Sequence, residues 1–399
     1  MVSLVMYLTK LYRTLYTEQD FFGPFELLLK LQGFSMRCER QNRCVRIIFG
    51  AMRALLFAQY LLWANRFVLA LWNASVEPEK ALHYSHTFGA LSTMAARMLV
   101  FKWYMADVER LQKYIRRQRA ASPPATGSFR KIINIAMSFQ LIGLVDRFVI
   151  GFSSTYRQEL YEMPSNVSSF GWPAELLVHV LSFDFGWRWA AAYNVSLTGL
   201  NSIMLSLSDE LNEIAQDYRH LLVIEPQVDF WTQLEHNIRR TVHRHEQFLL
   251  QLGHIKRLLR ITFLLMFYSA AIFLAIGMFM ISANGTTSTY YMLLSGFLIA
   301  LLLECYWFCL FVDRLNDKHN RIGEVLYELE WPERLCYSKL NAHRYRQVRS
   351  SLLIMLSITQ KILGITCGEI FKMSSEAFAN LVKLTYTMLM FLLDTQRPN

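Results

Sequence analysis

Long apolar stretches separated by polar segments are the dominant pattern along this chain. A bilayer core about 30 Å thick is spanned by roughly 20 mostly apolar helical residues. Six stretches fit this length and a shorter seventh closes the series: 47–72, 83–105, 132–154, 174–207, 259–282, 289–312 and 378–393. The apolar stretch 351–370 contains Gln360, Lys361 and Glu369, and we interpret it as a helix packed below the membrane. The pattern predicts an all-α polytopic membrane protein with seven transmembrane helices.

Composition supports this class. Hydrophobic residues make up 53% of the 399 positions and charged residues only 18%, below the roughly 25% usual in soluble domains. This composition excludes a disordered chain, a collagen and a disulfide-dense module. The six cysteines have no CxxC spacing, and no HExxH, GxSxG or phosphate-binding glycine loop is present. The sequence therefore predicts neither an enzyme nor a protein with a metal or cofactor.

The distribution of Lys and Arg predicts the orientation in the membrane. The segments 1–46, 106–131, 209–260 and 314–349 contain 29 of these residues, whereas the opposite side has only Lys80, Arg157 and Arg397. Because positive residues stay on the cytoplasmic side, the amino terminus is predicted inside and the carboxyl terminus outside. The net charge of +10 then follows from topology and indicates lipid rather than nucleic acid as a partner.

Two other classes of membrane protein remain as alternatives. A G-protein-coupled receptor also has seven helices, but its amino terminus is outside, which is the reverse of the predicted orientation. A secondary transporter predicts internal repeats and broken helices, and the chain has no repeat.

Glycosylation sequons agree with the predicted orientation. Asn73, Asn166 and Asn284 each begin an Asn-x-Ser/Thr sequon in a loop assigned to the outside. Asn194 begins a fourth sequon within the fourth span, where glycosylation is not expected.

The long polar segment between spans four and five has helical periodicity. Leu211, Ile214 and Tyr218 recur at helical spacing, Glu225-Pro226 breaks the run, and a second stripe follows. Its members are Trp231, Leu234, Ile238, Val242 and His245. We expect spans four and five to continue below the bilayer and to pack together there.

These predictions divide the chain into seven parts. They are a cytoplasmic segment (1–46), transmembrane helices one to four (47–207), a cytoplasmic helical extension (208–258), transmembrane helices five and six (259–313), cytoplasmic anchor helices (314–374), a last transmembrane helix (375–395) and an extracellular tail (396–399).

Charged residues within the predicted spans are candidates for function, because each is costly in lipid and needs a partner or water. They are Asp146, Arg147, Asp184, Arg188 and Glu304. Two interpretations remain open: an ion pair that ties spans three and four together, or the polar wall of a ligand pocket. Aromatic residues in the same region suit a small organic ligand. The candidate pocket is Asp146, Arg147, Phe183, Asp184, Trp187, Arg188, Tyr290 and Tyr291.

The carboxyl-terminal quarter resembles the insect gustatory receptors, in the superfamily that also holds the insect odorant receptors. The residues that carry the resemblance are Gly323, Tyr327, Trp331, Gln360-Lys361, Gly368, Phe378 and Thr385-Tyr386. The family closes with Thr-Tyr, five mostly apolar residues and Gln-Phe. Here Leu392 and Leu393 replace the Gln-Phe pair.

The resemblance implies a ligand-gated cation channel, assembled as a homo- or hetero-tetramer with related subunits, in the plasma membrane of a sensory-neuron dendrite. It implies a small external tastant as the ligand and a pore lined by the last helix. The residues carried onto that helix are Thr385, Tyr386, Leu389, Leu392 and Leu393. Thr385, Leu389 and Leu392 share one helix face, which we expect to face the pore axis, with Tyr386 packed against neighbouring helices.

Overall fold

The computed structural model describes residues 22–34, 43–75, 78–119, 170–223, 229–284, 289–335, 337 and 339–396. The predicted third span, 132–154, lies outside these ranges, as do the candidate residues Asp146, Arg147 and Asn166. Within them the chain is almost entirely helical, so the predicted all-α membrane fold is confirmed.

Helices follow one another along the described ranges, and we number them in chain order. They are α1 (Gly23–Leu31), α2 (Arg43–Trp72), α3 (Pro78–Trp103), α4 (Met105–Arg119), α5 (Trp172–Arg219), α6 (Phe230–Asn284), α7 (Thr289–Glu328), α8 (Trp331–Arg334), α9 (Ala342–Thr359) and α10 (Ser375–Gln396). Two short strands, β1 (Thr366–Cys367) and β2 (Phe371–Lys372), precede α10.

Six of the seven predicted spans coincide with helices α2, α3, α5, α6, α7 and α10. Among the described residues, four helices are long and apolar enough to cross a membrane: Arg46–Trp72, Phe230–Ala283, Leu294–Glu333 and Ser375–Thr395. Helices α3 and α5 are less apolar because they carry polar residues that are buried inside the bundle, such as Arg97 and Asn201.

Helices α5 and α6 are much longer than a bilayer is thick. They contain 48 and 55 residues, which corresponds to about 70 and 80 Å at 1.5 Å per residue. The two predicted apolar stripes are buried where these helices continue beyond the spans: Leu211, Ile214 and Tyr218 on α5, and Leu234 and Ile238 on α6. The two helices thus extend beyond the predicted spans, and these stripe residues belong to one buried core.

The prediction of a continuous helix over 351–370 is wrong in its second half. Helix α9 ends at Thr359, and β1 and β2 then form an antiparallel hairpin in which Thr366 faces Lys372. Gly364 and Gly368 have φ angles of +66° and +60°, the left-handed region that favours glycine. A Cβ on Gly368 would also lie 2.6 Å from a methyl carbon of Leu264 on α6, so a side chain there would require Leu264 to move.

Helix α1 anchors the amino-terminal part of the chain to α5. Phe22 and Phe25 are fully buried, and the Phe25 ring lies 5.5 Å from that of Phe101 on α3. Gly199 on α5 permits this approach, because a Cβ at this position would lie 2.7 Å from both rings. The buried residues of α1, α5, α6 and α7 thus belong to one core.

Candidate functional site

A buried polar centre joins three helices in the middle of the bundle. Arg97 on α3 and Glu304 on α7 are 2% and 5% exposed, and they form an ion pair through Arg97 Nη2 and Glu304 Oε1. Arg97 Nη1 also donates to Glu304 Oε2 at 3.5 Å, and the Tyr193 hydroxyl on α5 donates to the same oxygen at 2.6 Å. The Arg97 guanidinium carbon lies 5.7 Å from the centre of the Tyr193 ring.

This centre is well suited to fix the relative positions of α3, α5 and α7. A buried charge that loses its partner is strongly destabilising, so the three helices cannot separate at this level without a large cost. The sequence identifies Glu304 as an intramembrane charge, but it does not identify Arg97 as its partner. The signal available was Arg97 itself, a second charge near the middle of a predicted span.

An aromatic cluster lies between α2, α3 and α5. Its buried members are Trp63, Tyr84, Leu91, Trp189 and Ala192. The Tyr60 and Phe88 rings lie 5.3 Å apart, and the Tyr60 hydroxyl is 3.0 Å from Ser92 Oγ. Apolar walls with a few polar groups are typical of sites for small organic molecules.

The predicted pocket residues are only partly described. Phe183, Asp184 and Trp187 lie on α5 and Tyr290 lies on α7, but their side chains are outside the described set. Arg188 donates from Nη1 to the Met52 carbonyl at 3.3 Å, and its own carbonyl accepts from Gln32 Nε2 at 2.7 Å. Arg188 therefore ties α5 to α2 and to the segment that follows α1. Tyr291 is half-buried against the main core.

Two faces of α10 are sharply distinguished by burial. Thr385 is 3% exposed and donates its hydroxyl to the Leu381 carbonyl at 2.9 Å, whereas Tyr386 is 61% exposed. Leu389, Leu392 and Leu393 are intermediate. Within one subunit, the burial of Thr385 and the exposure of Tyr386 differ from the expectation that Thr385 faces a pore while Tyr386 packs between helices, and the pore face stays a prediction.

Helix α7 accepts hydrogen bonds from the start of α10 and from the segment that precedes it. Asp313 Oδ2 accepts hydrogen bonds from the Ser375 backbone N–H at 2.9 Å and from the Ser375 hydroxyl at 2.6 Å, so it caps α10 from another helix. Three residues further along α7, Asn316 Oδ1 accepts from the Leu363 N–H at 3.1 Å. A cavity of about 640 Å³ lies beside this junction, between α6, α7, α10 and the hairpin segment.

A second charged cluster lies on the extended parts of α5 and α6. Arg244 Nε and Nη2 donate to the two carboxylate oxygens of Glu210 at 2.7 and 3.1 Å, and Nη1 donates to Asp217 at 2.9 Å. The Tyr114 hydroxyl of α4 donates to Glu210 at 3.0 Å, and burial together with that carboxylate raises the tyrosine pKa. The cluster therefore connects α4, α5 and α6 through ion pairs and hydrogen bonds.

Two buried histidines lie further along the same extensions. His245 on α6 is 5.7 Å from His319 on α7, measured between ring centres, and its Nδ1 is 3.4 Å from the Tyr218 hydroxyl. Burial, with His319 nearby, lowers the pKa of His245 to about 4, and burial also lowers the pKa of His319. Among the residues that the structure describes, no group of three or more His, Cys, Asp and Glu is placed to hold a metal ion.

Comparison with known proteins assigns the chain to a family. The family described as 7tm odorant receptor matches residues 77–386. The chain belongs to the insect odorant receptor family. This family consists of chemoreceptors that are ligand-gated channels and not enzymes, so the predicted superfamily and the predicted absence of enzymatic activity are confirmed. The odorant receptor family, rather than the gustatory branch of that superfamily, supplies the match.

Solved structures of this odorant receptor family have the same fold. The insect olfactory receptor OR5 from Machilis hrabei, in complex with eugenol, is similar with a TM-score of 0.68 over 96% of this chain and 100% of that one. A second structure of the same receptor gives a TM-score of 0.64 over 93% and 97%. Both are 13% identical to this chain, so they show the fold alone. No curated protein sequence matches the chain.

Proposed function

We propose that this odorant receptor family member is a chemosensory cation channel that opens when a small external organic molecule binds. The observation that carries the proposal is the exposed face of α10, a membrane-length helix of which only 17% of the apolar window is buried in the subunit. Helix α2 is buried even less, at 11%, but from 54 to 62 its exposed residues are all apolar and suit lipid. The exposed residues of α10 include apolar ones such as Leu384 and Phe391, but also Lys383, Tyr386 and Thr387, which suit water.

The proposed assembly is a homo- or hetero-tetramer of related subunits in which α10 lines a central pore. Because Thr385 is buried in its own subunit, we assign the pore-facing side to Tyr386 and Leu393, with Leu389 and Leu392 at its edge. An apolar ring at Leu393 can close a pore by dewetting. The exposed apolar residues of α9, Leu353 and Ile354, are candidates for contacts between subunits.

The proposed ligand is a small external tastant, bound near Asp146, Arg147, Phe183, Asp184, Trp187, Arg188, Tyr290 and Tyr291. The aromatic cluster around Trp189 supports this position, because it places apolar walls beside polar groups. An odorant is the second candidate, favoured by the family match over 77–386 and by the eugenol complex of the similar Machilis hrabei receptor.

The proposed topology has a cytoplasmic amino terminus and an extracellular carboxyl terminus, in the plasma membrane of a sensory dendrite. The turn after α2 contains Asn73, which is exposed and is a proposed glycosylation site together with Asn166 and Asn284. Asn194 is 2% exposed within α5, in agreement with its exclusion as a glycosylation site.

Ligand-evoked current in excised patches tests the proposed function. Cells that express the chain, with or without a related subunit, are exposed to panels of soluble tastants and of volatile odorants. A cation current that persists in excised patches without nucleotides supports a channel, because G-protein signalling needs GTP. A response only in intact cells would contradict the proposal and favour G-protein coupling, and the panel that evokes current separates taste from olfaction.

A further inference from the structure

Four polar residues form a continuous exposed stripe along the inner half of α10. Glu376, Asn380, Lys383 and Thr387 follow one another at intervals of four, three and four residues. At 3.6 residues per turn this spacing places all four on one side of the helix. All four are exposed in the subunit, and we call this side the polar face of α10.

Packing of the opposite side prevents α10 from turning its polar face inward. Ala377, Leu381 and Thr385 are 8%, 4% and 3% exposed, and they form the buried side of the helix. The cap from Asp313 to Ser375 fixes the rotation at the start of the helix. The polar face therefore points away from the subunit, toward lipid, a neighbouring copy or water.

Lys383 makes lipid an unfavourable environment for this face. It lies eight residues from the start of α10, about 12 Å along the axis. Among the described residues, no carboxylate lies within ion-pairing distance of its ammonium group. An unpaired lysine inside a membrane-length helix is costly in lipid and usually faces water or a partner.

A cavity with polar walls adjoins the inner half of the polar face. Glu376 and Asn380 line the cavity of about 640 Å³, together with Asp313, Asn316 and Lys372 on its other walls. The cavity thus brings polar groups from α7, β2 and α10 to the inner half of the polar face. Lys383 and Thr387 follow on the same side of α10, beyond the part of the polar face that lines the cavity.

We propose that the polar face of α10 lines the water-filled ion path formed between copies of the chain, and that Lys383 limits the rate at which cations pass. The inference rests on the proposed channel function. Four copies of the ammonium group lower the local concentration of cations by repulsion. Glu376 lies two turns nearer the start of the helix and has the opposite sign, so it concentrates cations at the entrance of this path.

Unitary conductance at two salt concentrations tests the role of Lys383. In about 10 mM salt, where charges act over about 30 Å, Lys383→Gln should raise the cation conductance at least about twofold. In about 1 M salt, where the screening length is about 3 Å, the difference should nearly vanish. Lys383→Arg retains the charge and should behave like the unchanged protein. Lys339→Gln removes an exposed lysine remote from α10 and is the matched control.

Cysteine modification provides a second measurement if Lys383→Gln does not reach the cell surface. Lys383→Cys should conduct more at low salt, and a cationic methanethiosulfonate should return it to the original conductance, while Leu381→Cys stays unaffected because that position is buried. Equal low-salt conductance in the Lys383→Gln, Lys383→Cys and unchanged channels would overturn the role of Lys383 and leave the channel function intact. Absence of agonist-evoked current in every form, including the unchanged surface-expressed protein, would instead overturn the proposed function.

Discussion

Arg97 and Glu304 are 207 residues apart in the sequence and form an almost completely enclosed ion pair in the centre of the bundle. The Tyr193 hydroxyl donates to the same carboxylate, so one acidic side chain on α7 receives hydrogen bonds from α3 and α5. The same helix, nine residues further on, caps the proposed pore helix through Asp313. Helix α7 therefore connects the buried polar centre directly to the start of α10.

Removal of one partner of the central ion pair should strongly destabilise the protein. We expect Arg97→Met to cost about 3–5 kcal/mol of unfolding free energy, because it leaves the Glu304 carboxylate buried without a cation. The double substitution Arg97→Met with Glu304→Leu should recover much of that loss, since neither charge remains. Thermal unfolding of the detergent-solubilised protein measures both effects.

The matched control for this ion pair is Arg110→Met, which removes an arginine that is 61% exposed and pairs with Asp107 on the surface of α4. Exposed pairs contribute about 0–1 kcal/mol, so its unfolding temperature should hardly move. If Arg97→Met behaved like Arg110→Met, or if the double substitution were no better than Arg97→Met, the ion pair would not have the structural importance assigned to it.

The cap that Asp313 provides at the start of α10 should contribute measurably to the stability of the protein and to opening of the proposed channel. We expect Asp313→Ala to lower the unfolding free energy by about 1 kcal/mol, because the Ser375 N–H loses its acceptor. Asp313→Asn retains an acceptor oxygen and should have a smaller effect. Asp317→Ala removes an exposed carboxylate one turn away and is the control. The measurements are the unfolding free energy and the ligand concentration that gives half-maximal current. If Asp317→Ala changed both more than Asp313→Ala does, the assignment of Asp313 as the cap would be contradicted.

Hydropathy and charge predicted most of the fold because membrane spans are determined locally. The apolar stretches 47–72 and 259–282 need no tertiary information to be recognised, and both lie within helices. The amphipathic stripe at Leu211 and Ile214 was equally visible. The hairpin after Thr359 was not, because a stretch of this composition also suits a helix and its path depends on left-handed glycines.

The buried polar centre was harder to predict because its members come from distant parts of the sequence. Glu304 was recognised as a costly charge, but nothing in the sequence specified that Arg97 would meet it. The faces of α10 were predicted from the spacing of Thr385 and Leu389 alone, and spacing defines a stripe without showing which side of the helix is buried. Only the packing of α10 on α6 and α7 determines that Thr385 faces inward.

Acid should destabilise the folded protein through His245 and His319. The unfolded histidine pKa is about 6.5, whereas burial lowers the pKa of folded His245 to about 4. Above pH 6.5 both states are neutral and stability does not depend on these groups. Below it the unfolded chain binds protons that the folded chain excludes, so His245 lowers stability by up to about 1.4 kcal/mol per pH unit until about pH 4. The lowered pKa of His319 adds a loss in the same direction.

His245→Gln tests this linkage because glutamine does not titrate. The loss of thermal stability between pH 7.5 and 5 should be smaller in His245→Gln than in the unchanged protein, and His236→Gln, at an exposed position of α6, should leave the slope unchanged. The other groups near the pair, Tyr218 and Lys256, keep their protonation in this range, so they do not affect the comparison. Identical slopes for His245→Gln and the unchanged protein would rule out the histidine as the source.

The proposed orientation of the termini rests on the distribution of Lys and Arg, with 29 residues on the predicted cytoplasmic side against 3 on the other. An epitope tag at the carboxyl terminus should be labelled on intact cells, and a tag at the amino terminus only after permeabilisation. Labelling of the amino-terminal tag on intact cells would reverse the topology and restore the G-protein-coupled alternative. A tag in the 120–131 segment, which is predicted to be cytoplasmic, serves as an internal control.

The rotation of α10, the proposed pore helix, can be tested with adjacent cysteines. Tyr386 is 61% exposed in the subunit and Thr385 is 3% exposed, although the two residues are neighbours on α10. If α10 lines the pore in this rotation, a water-soluble thiol reagent should block ligand-evoked current in Tyr386→Cys and should not block it in Thr385→Cys. The two variants share the same depth in the membrane, so each is the control for the access of the reagent to the other. Block of Thr385→Cys alone would require α10 to rotate on assembly and would restore Thr385, Leu389 and Leu392 as the pore face.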